Sequence, residues 1–197
     1  MREITCLTAV VGSGCAGLNA ADWLAALGAE DVLLVTENMR YGTSRNTGSD
    51  KQTYYKLSLA GGESDSVEDM ARTLYREDVD GDLALCEAAG SAQGFFKLVQ
   101  LGVPFPCNEM GEFVGYQTDH DQRRRASSAG PLTSRYMTQA LEKSVLARGV
   151  RVRENLLAYR VLTDERGVCG LECLDLEDNT VLRIRCAQVI LATGGPA

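Results

Sequence analysis

Between Thr5 and Val11 the chain reads Thr-Cys-Leu-Thr-Ala-Val-Val, a short apolar, β-rich run that stops at Gly12. From Cys15 the period changes. Leu18, Ala21, Leu24 and Ala25 recur at helical spacing, and Gly28 closes the segment as a C-cap would. Asp31 to Thr36 is apolar again and ends at Glu37. Strand, glycine turn, helix and strand in this order predict a βαβ unit, with parallel strands joined by a right-handed crossover.

Residues 39–64 are rich in Gly, Ser, Thr and Asn and have little periodicity. They predict a loop that wraps something, with a short helix around Lys51–Leu59. Amphipathic helices are expected over Ser66–Asp78 and Leu83–Leu101, the second with Leu85, Ala89, Phe95, Phe96, Val99 and Leu101 as its apolar stripe. Gly102-Val-Pro-Phe-Pro106 breaks that helix, and Gly111–Asp121 predicts a loop or hairpin. Thr133 is placed to cap a helix through Arg148, with Tyr136, Ala140, Leu141 and Val145 inward and Gly149 after it.

The last quarter changes character. Val150–Glu154, Leu157–Thr163, Val168–Leu176 and Val181–Cys186 predict short strands, the later ones separated by turn signals at Asp164-Glu-Arg-Gly167 and Glu177-Asp-Asn179. The three strands joined by those turns predict an antiparallel β-meander. Ala187 to Ala192 is then a nearly all-apolar strand running into Thr193-Gly-Gly195. With nothing after it to cover it, that strand reads as part of an N-terminal portion of a longer protein. The fold class is α/β. The expected division is 1–50 (βαβ unit and loop), 51–130 (a mostly helical insertion) and 131–197 (meander and closing strand).

Composition narrows the function. The 197 residues are 45% hydrophobic and 24% charged, as in ordinary globular chains. A net charge of −7 argues against nucleic acid or an anionic membrane as a partner. No apolar run approaches a membrane span, and no secretory leader opens the chain, so the reading is cytoplasmic without membrane insertion. The seven cysteines include no CxxC and accompany a single histidine, His120, so no metal site is expected and the thiols read as reduced and mostly buried. His120, flanked by carboxylates, reads as solvated. Arg123-Arg-Arg125 reads as a basic turn balanced by nearby acids rather than an anion site, and Trp23 as packing.

Gly12-Ser13-Gly14-Cys15-Ala16-Gly17 matches G-x-G-x-x-G, and its place between strand and helix gives that match weight. Gly12 permits the tight turn, Gly14 lets backbone amides approach a diphosphate, and Gly17 lets helix and strand pack closely. The helix N-terminus presents its partial positive charge to the same point. Glu37 follows at the end of the second strand, where a carboxylate accepts hydrogen bonds from an adenosine ribose. An acid there disfavours a 2′-phosphate, hence NADP.

Beyond Glu37, Gly42-Thr-Ser-Arg-Asn-Thr-Gly-Ser49 offers hydroxyls and amides, and the closing Ala192-Thr-Gly-Gly195 is similar to the second half of a flavin fingerprint. With Gly102-Val-Pro-Phe105, Asn155–Asp164 and Gly167-Val-Cys-Gly170, these segments make the chain resemble the FAD-dependent fumarate reductase and succinate dehydrogenase flavoproteins, with L-aspartate oxidase. The resemblance runs from about Cys6 to the last residue. It implies a Rossmann-like FAD-binding domain and hydride transfer between flavin N5 and a substrate C–C bond. Gly12, Ser13, Gly14, Cys15, Ala16 and Gly17 would hold the diphosphate. Glu37 and Asn38 would hold the ribose, and Thr43, Ser44, Gly48 and Ser49 the middle of the cofactor and the N5 side of its ring. Ala158 would offer its backbone to the adenine, and Thr193 and Gly194 would pass close to the cofactor.

The departures are informative too. Arg45 stands nearest to the histidine that bonds covalently to FAD in membrane-bound succinate dehydrogenases, so the flavin is expected to be non-covalent. Thr47-Gly-Ser-Asp50 replaces the usual Ala-Gln-Gly-Gly or Ala-Gly-Gly, which leaves the ring contacts and the substrate open. The family's catalytic arginine and histidine residues follow the closing strand, so no catalytic residue is named here. A small-molecule substrate reached through downstream residues and an electron-transfer partner complete the expectation. Two alternatives stay open: an NAD-dependent Rossmann dehydrogenase domain, and a non-catalytic FAD-binding or assembly fragment.

Overall fold

A computed structural model describes residues 2–49, 52–59, 62–75 and 79–195. The chain divides into two compact units, the first made of Met1–Thr47 with Met137–Ala197 and the second of Gly48–Tyr136. Each is described by itself.

The first unit is built on two four-stranded sheets. One is fully parallel, in the order β11 (Gln188–Leu191), β2 (Thr8–Val11), β3 (Val32–Val35), β7 (Arg151–Arg153). The other joins β1 (Arg2–Thr5) to a meander in the order β1, β10 (Thr180–Arg185), β9 (Gly167–Asp175), β8 (Leu156–Asp164). Strands β2 and β3 are buried along their whole length, as continuous apolar runs in a covered parallel sheet should be. Successive side chains leave a strand on opposite faces. Ala9, Val11, Leu33 and Val35 therefore meet Leu156, Leu171, Cys173, Leu182 and Ile184 of the meander in one apolar core. Val10 and Leu34, also buried, face the other way. There α1 (Cys15–Ala26) packs along β2, β3 and β11 through Leu18 and Ala21. Helix α5 (Thr133–Ala147) stands beside α1, where Arg148 and Ser144 both donate to the buried carboxylate of Asp22.

The single strand expected over residues 5–11 is two. The chain breaks at Cys6-Leu7 because Leu7 leaves both ladders: its amide donates to Asp31 O at 3.1 Å and its carbonyl accepts from Ala187 N and Gln188 N. The β1 strand is thereby delivered to the meander, where it runs parallel to β10. The expected hairpins of the last quarter are present with the predicted turns.

The second unit holds α3 (Val67–Leu74), α4 (Gly81–Gln100) and a three-stranded sheet in the order β4 (Tyr54–Tyr55), β6 (Asp121–Ser127), β5 (Tyr116–Thr118). Three expectations are corrected here. The short helix around Lys51–Leu59 is strand β4, paired with Ala126 and Ser127 and continued by a Lys56 N to Arg125 O bond; Lys51 lies outside the described residues. The stripe of α4 is rotated by one position, with Ala84, Ala88, Ser91, Phe95 and Leu98 buried while Leu85 and Phe96 stay exposed. Ser91 explains the rotation: its hydroxyl accepts from Leu57 N and donates to Ala88 O, and its carbonyl accepts from Tyr54 Oη. Hydrophobic periodicity alone does not place a serine on a core face. Arg123-Arg-Arg125 is no turn but the middle of β6. Arg125 is wholly buried and binds Asp65 through two nitrogens, at 2.9 and 2.6 Å. His120 is exposed in the turn between β5 and β6.

The end of the expected helix Ser66–Asp78 falls at 76–78, outside the described residues. Thr133 is the first residue of α5 and not its cap: its hydroxyl donates to Gly130 O and accepts from Ala129 N. Of the seven free thiols only Cys6, Cys173 and Cys186 are buried, and Cys86 and Cys107 are exposed. Burial pushes the Cys6 thiol up to about 12. Such groups pack as small hydrophobes.

Candidate cofactor site

The loop Gly12–Gly17 lies at the carboxyl end of β2, in the middle of the parallel sheet, and opens directly into α1. Gly12 sits at φ +108°, a conformation that L side chains rarely adopt, and donates its amide to Val35 O at 2.8 Å. A Cβ on Gly12 would overlap the carbonyl of Ala192, at the end of β11, and one on Gly17 would overlap the carbonyl of Gly12. The turn is thus pressed against its neighbours from both sides.

Gly14 differs. It is the N-cap of α1, in extended conformation, and no side chain caps the helix. A Cβ there would meet only Ser44 Oγ, at 3.5 Å. No acidic residue sits in the first turn to compete for the helix's positive end. Uncapped first-turn amides at the end of a parallel strand are a donor set for an anion such as a diphosphate. The residues present therefore fit the diphosphate of a dinucleotide.

Ser13 is turned the other way. Its side chain is buried, its hydroxyl stands 2.8 Å from Thr36 Oγ1, and it donates to Asn38 O at 3.2 Å. What Ser13 can offer an anion is therefore its backbone. Glu37 is exposed at the end of β3, its carbonyl accepting from Asn155 N at 2.9 Å. Asn38 accepts the Arg40 amide on Oδ1 at 2.8 Å, which leaves its NH2 as a donor. Glu37 and Asn38 thus stand beside the glycine loop, at the neighbouring strand's carboxyl end.

Thr43 and Ser44 open the short helix α2 (Thr43–Asn46), with Ser44 next to Gly14 and Ser44 O accepting from buried Thr138 at 3.1 Å. Arg45 forms an ion pair with Glu142 of α5. Thr193 and Gly194 are exposed just after β11, beside Gly12 by way of Ala192, with Gly194 at φ +86°. Ala158 lies on the meander's edge strand, half-buried against the core and followed by a ladder irregularity before Arg160. Gly48 and Ser49 belong to the second unit, where Ser49 N donates to Pro131 O. The first unit thus gathers Gly12 to Gly17, Glu37, Asn38, Thr43, Ser44, Thr193 and Gly194 around the carboxyl ends of β2, β3 and β11.

Three supporting residues escape a sequence reading. Asp22 and Thr138 are polar groups on helical core faces, and Glu154 reaches back to Met39 N at 2.7 Å from just past β7. None carries a motif. Among the described residues no group of three metal-ligating side chains occurs, and no helix is long and apolar enough to cross a membrane.

The family model described as "FAD binding domain" matches residues 8–197. L-aspartate oxidase of Agrobacterium fabrum is 31% identical over 192 residues, covering 95% of this chain and 35% of that protein. The L-aspartate oxidase of Streptomyces coelicolor is 27% identical over 201 residues, covering 94% and 32%. Among solved structures, a variant E. coli quinol fumarate reductase superposes with a TM-score of 0.80 at 21% identity, over 99% of this chain and 33% of that one. The chain spans about a third of the length of the curated relatives it matches.

Proposed function

The chain belongs to the FAD binding domain family, and from that premise we propose that it is the FAD-holding portion of a flavin-dependent oxidoreductase similar to fumarate reductase, succinate dehydrogenase and L-aspartate oxidase flavoproteins. The observation that carries the reading is the Gly12–Gly17 turn, closed by backbone on both sides yet open at the uncapped N-terminus of α1. In this reading residues 1–50 and 131–197 carry the cofactor and 51–130 form an insertion between them.

Gly12 shapes the turn while its own amide stays on Val35 O, and the backbone amides from Ser13 to Gly17 receive the diphosphate, with the helix dipole adding to their attraction. Glu37 accepts hydrogen bonds from the ribose, and the Asn38 amide group donates to it. Thr43, Ser44, Gly48 and Ser49 line the middle of the cofactor, Ala158 offers backbone to the adenine, and Thr193 and Gly194 border it. FAD when bound supplies hydride exchange at its N5, while the protein binds and orients it. No residue here is assigned a catalytic role. A small-molecule substrate and an electron-transfer partner complete the proposal, and no residue of this chain is assigned to either.

Arg45 supports a non-covalent flavin. A guanidinium stays protonated in proteins and is no nucleophile toward a flavin methyl group, and this one is held by Glu142. Protein reconstituted with FAD and freed of excess is expected to be yellow, and acid precipitation is expected to release all the colour into the supernatant. Colour retained in the pellet would contradict the non-covalent assignment, and a colourless reconstituted protein the FAD assignment itself.

A further inference from the structure

The turn that carries Glu37 and Asn38 is fixed from two directions. From the glycine loop, Ser13 Oγ and, from β3, Thr36 Oγ1 both reach the Asn38 carbonyl, at 3.2 and 3.3 Å. From the far side come the residues after β7. Arg153 O accepts from Thr36 N at 3.0 Å, Asn155 N donates to Glu37 O at 2.9 Å, and Leu156 N donates to Thr36 O at 3.1 Å. The three contacts from this far side are backbone to backbone, so almost any side chains would allow them. One contact is not. Glu154 Oε1 accepts the Met39 amide at 2.7 Å, directly after Asn38.

Met39 is buried by its side chain, so its amide cannot simply be handed to solvent by swinging the residue outward. A carboxylate that accepts a backbone amide makes a charge-assisted bond, stronger than a neutral one. It closes the turn on the side away from the glycine loop and so sets where Glu37 and Asn38 point. We propose that Glu154 is a positioning residue for the adenosine end of the cofactor, acting on affinity through the Glu37–Asn38 turn. The inference rests on the reading that this turn receives the ribose.

The test is a set of FAD titrations on the full chain, following flavin fluorescence, for wild type, Glu154→Ala, Glu154→Gln, Glu37→Ala and the double variant Glu37→Ala/Glu154→Ala. Glu154→Ala is expected to weaken FAD binding about tenfold, the scale of one lost charge-assisted hydrogen bond. Glu154→Gln keeps an accepting oxygen and is expected within about threefold of wild type. In the Glu37→Ala background the same Glu154→Ala change is expected to cost about threefold or less, because one of the two groups it positions is gone. A residue that merely holds the fold would cost the same in both backgrounds. That equality, or a Glu154→Ala chain that binds FAD like wild type, overturns the inference and leaves the cofactor assignment standing. A wild-type chain that takes up no FAD overturns both.

Discussion

Gly17→Val is expected to destabilise the first unit by about 3 kcal/mol or more, and with it to remove the ordered glycine loop. The reason is backbone, not side-chain, crowding. Even a single Cβ at this position would overlap the Gly12 carbonyl and lie 3.4 Å from Ala192 Cβ, so no rotamer change relieves it. Relief requires α1 to lift away from β2 and β11, which uncovers Leu18 and Ala21, both buried against the sheet. Urea or thermal unfolding followed by circular dichroism measures the loss. A variant that melts with the wild type would show that α1 does not pack this tightly.

The second large effect lies in the other unit. Asp65→Asn is expected to cost about 3 kcal/mol, the range for removing one partner of a buried ion pair. Asp65 is almost fully buried, and so is Arg125, which also bonds Thr73 and Asp121. Burial works against an ionised Asp65, but the hydrogen bonds from Arg125, Ser58 N, Arg123 and Ser66 N outweigh it and hold the carboxyl well below the usual range. A depressed folded-state pKa gives stability that is complete above the unfolded value of about 4 and is lost as pH falls through the folded one. The gap between wild type and Asp65→Asn is therefore expected to be full at pH 7 and to narrow below about pH 4. Amide exchange in Asp121–Ser127 and Val67–Leu74 reads this unit directly. A gap that widens on acidification would contradict the assigned charge state.

What the sequence discloses depends on how local the physics is. The βαβ unit and its glycine loop are legible because continuous apolar runs and obligatory glycines sit within one short stretch. Gly12 needs a positive φ and Gly17 a vanishing side chain, and only glycine meets both demands. The meander is legible because its turns carry Asp, Asn and Gly at hairpin spacing. The break at Cys6-Leu7 is hidden, since it is made by Asp31 and Ala187, far away in sequence. So is the α4 face, where Ser91 is chosen for the Leu57 amide and not for its hydropathy. In the site, the glycines, Glu37 and Ser44 can be named from pattern and resemblance. The inward turn of the Ser13 hydroxyl, the Thr138 and Asp22 contacts and the brace from Glu154 cannot, because each is a long-range polar contact without a motif.

Gly14 separates cofactor binding from folding better than any other position. A Cβ there meets only Ser44 Oγ, at ordinary contact distance, while it stands at the cap where a diphosphate would approach the amides of α1. The decisive measurement is the FAD affinity of Gly14→Val beside that of wild type, with unfolding followed in parallel. The account predicts a folded variant whose FAD binding is at least about a hundredfold weaker, since a branched side chain keeps the diphosphate from its backbone donors. A folded Gly14→Val chain that binds FAD as tightly as wild type would contradict it.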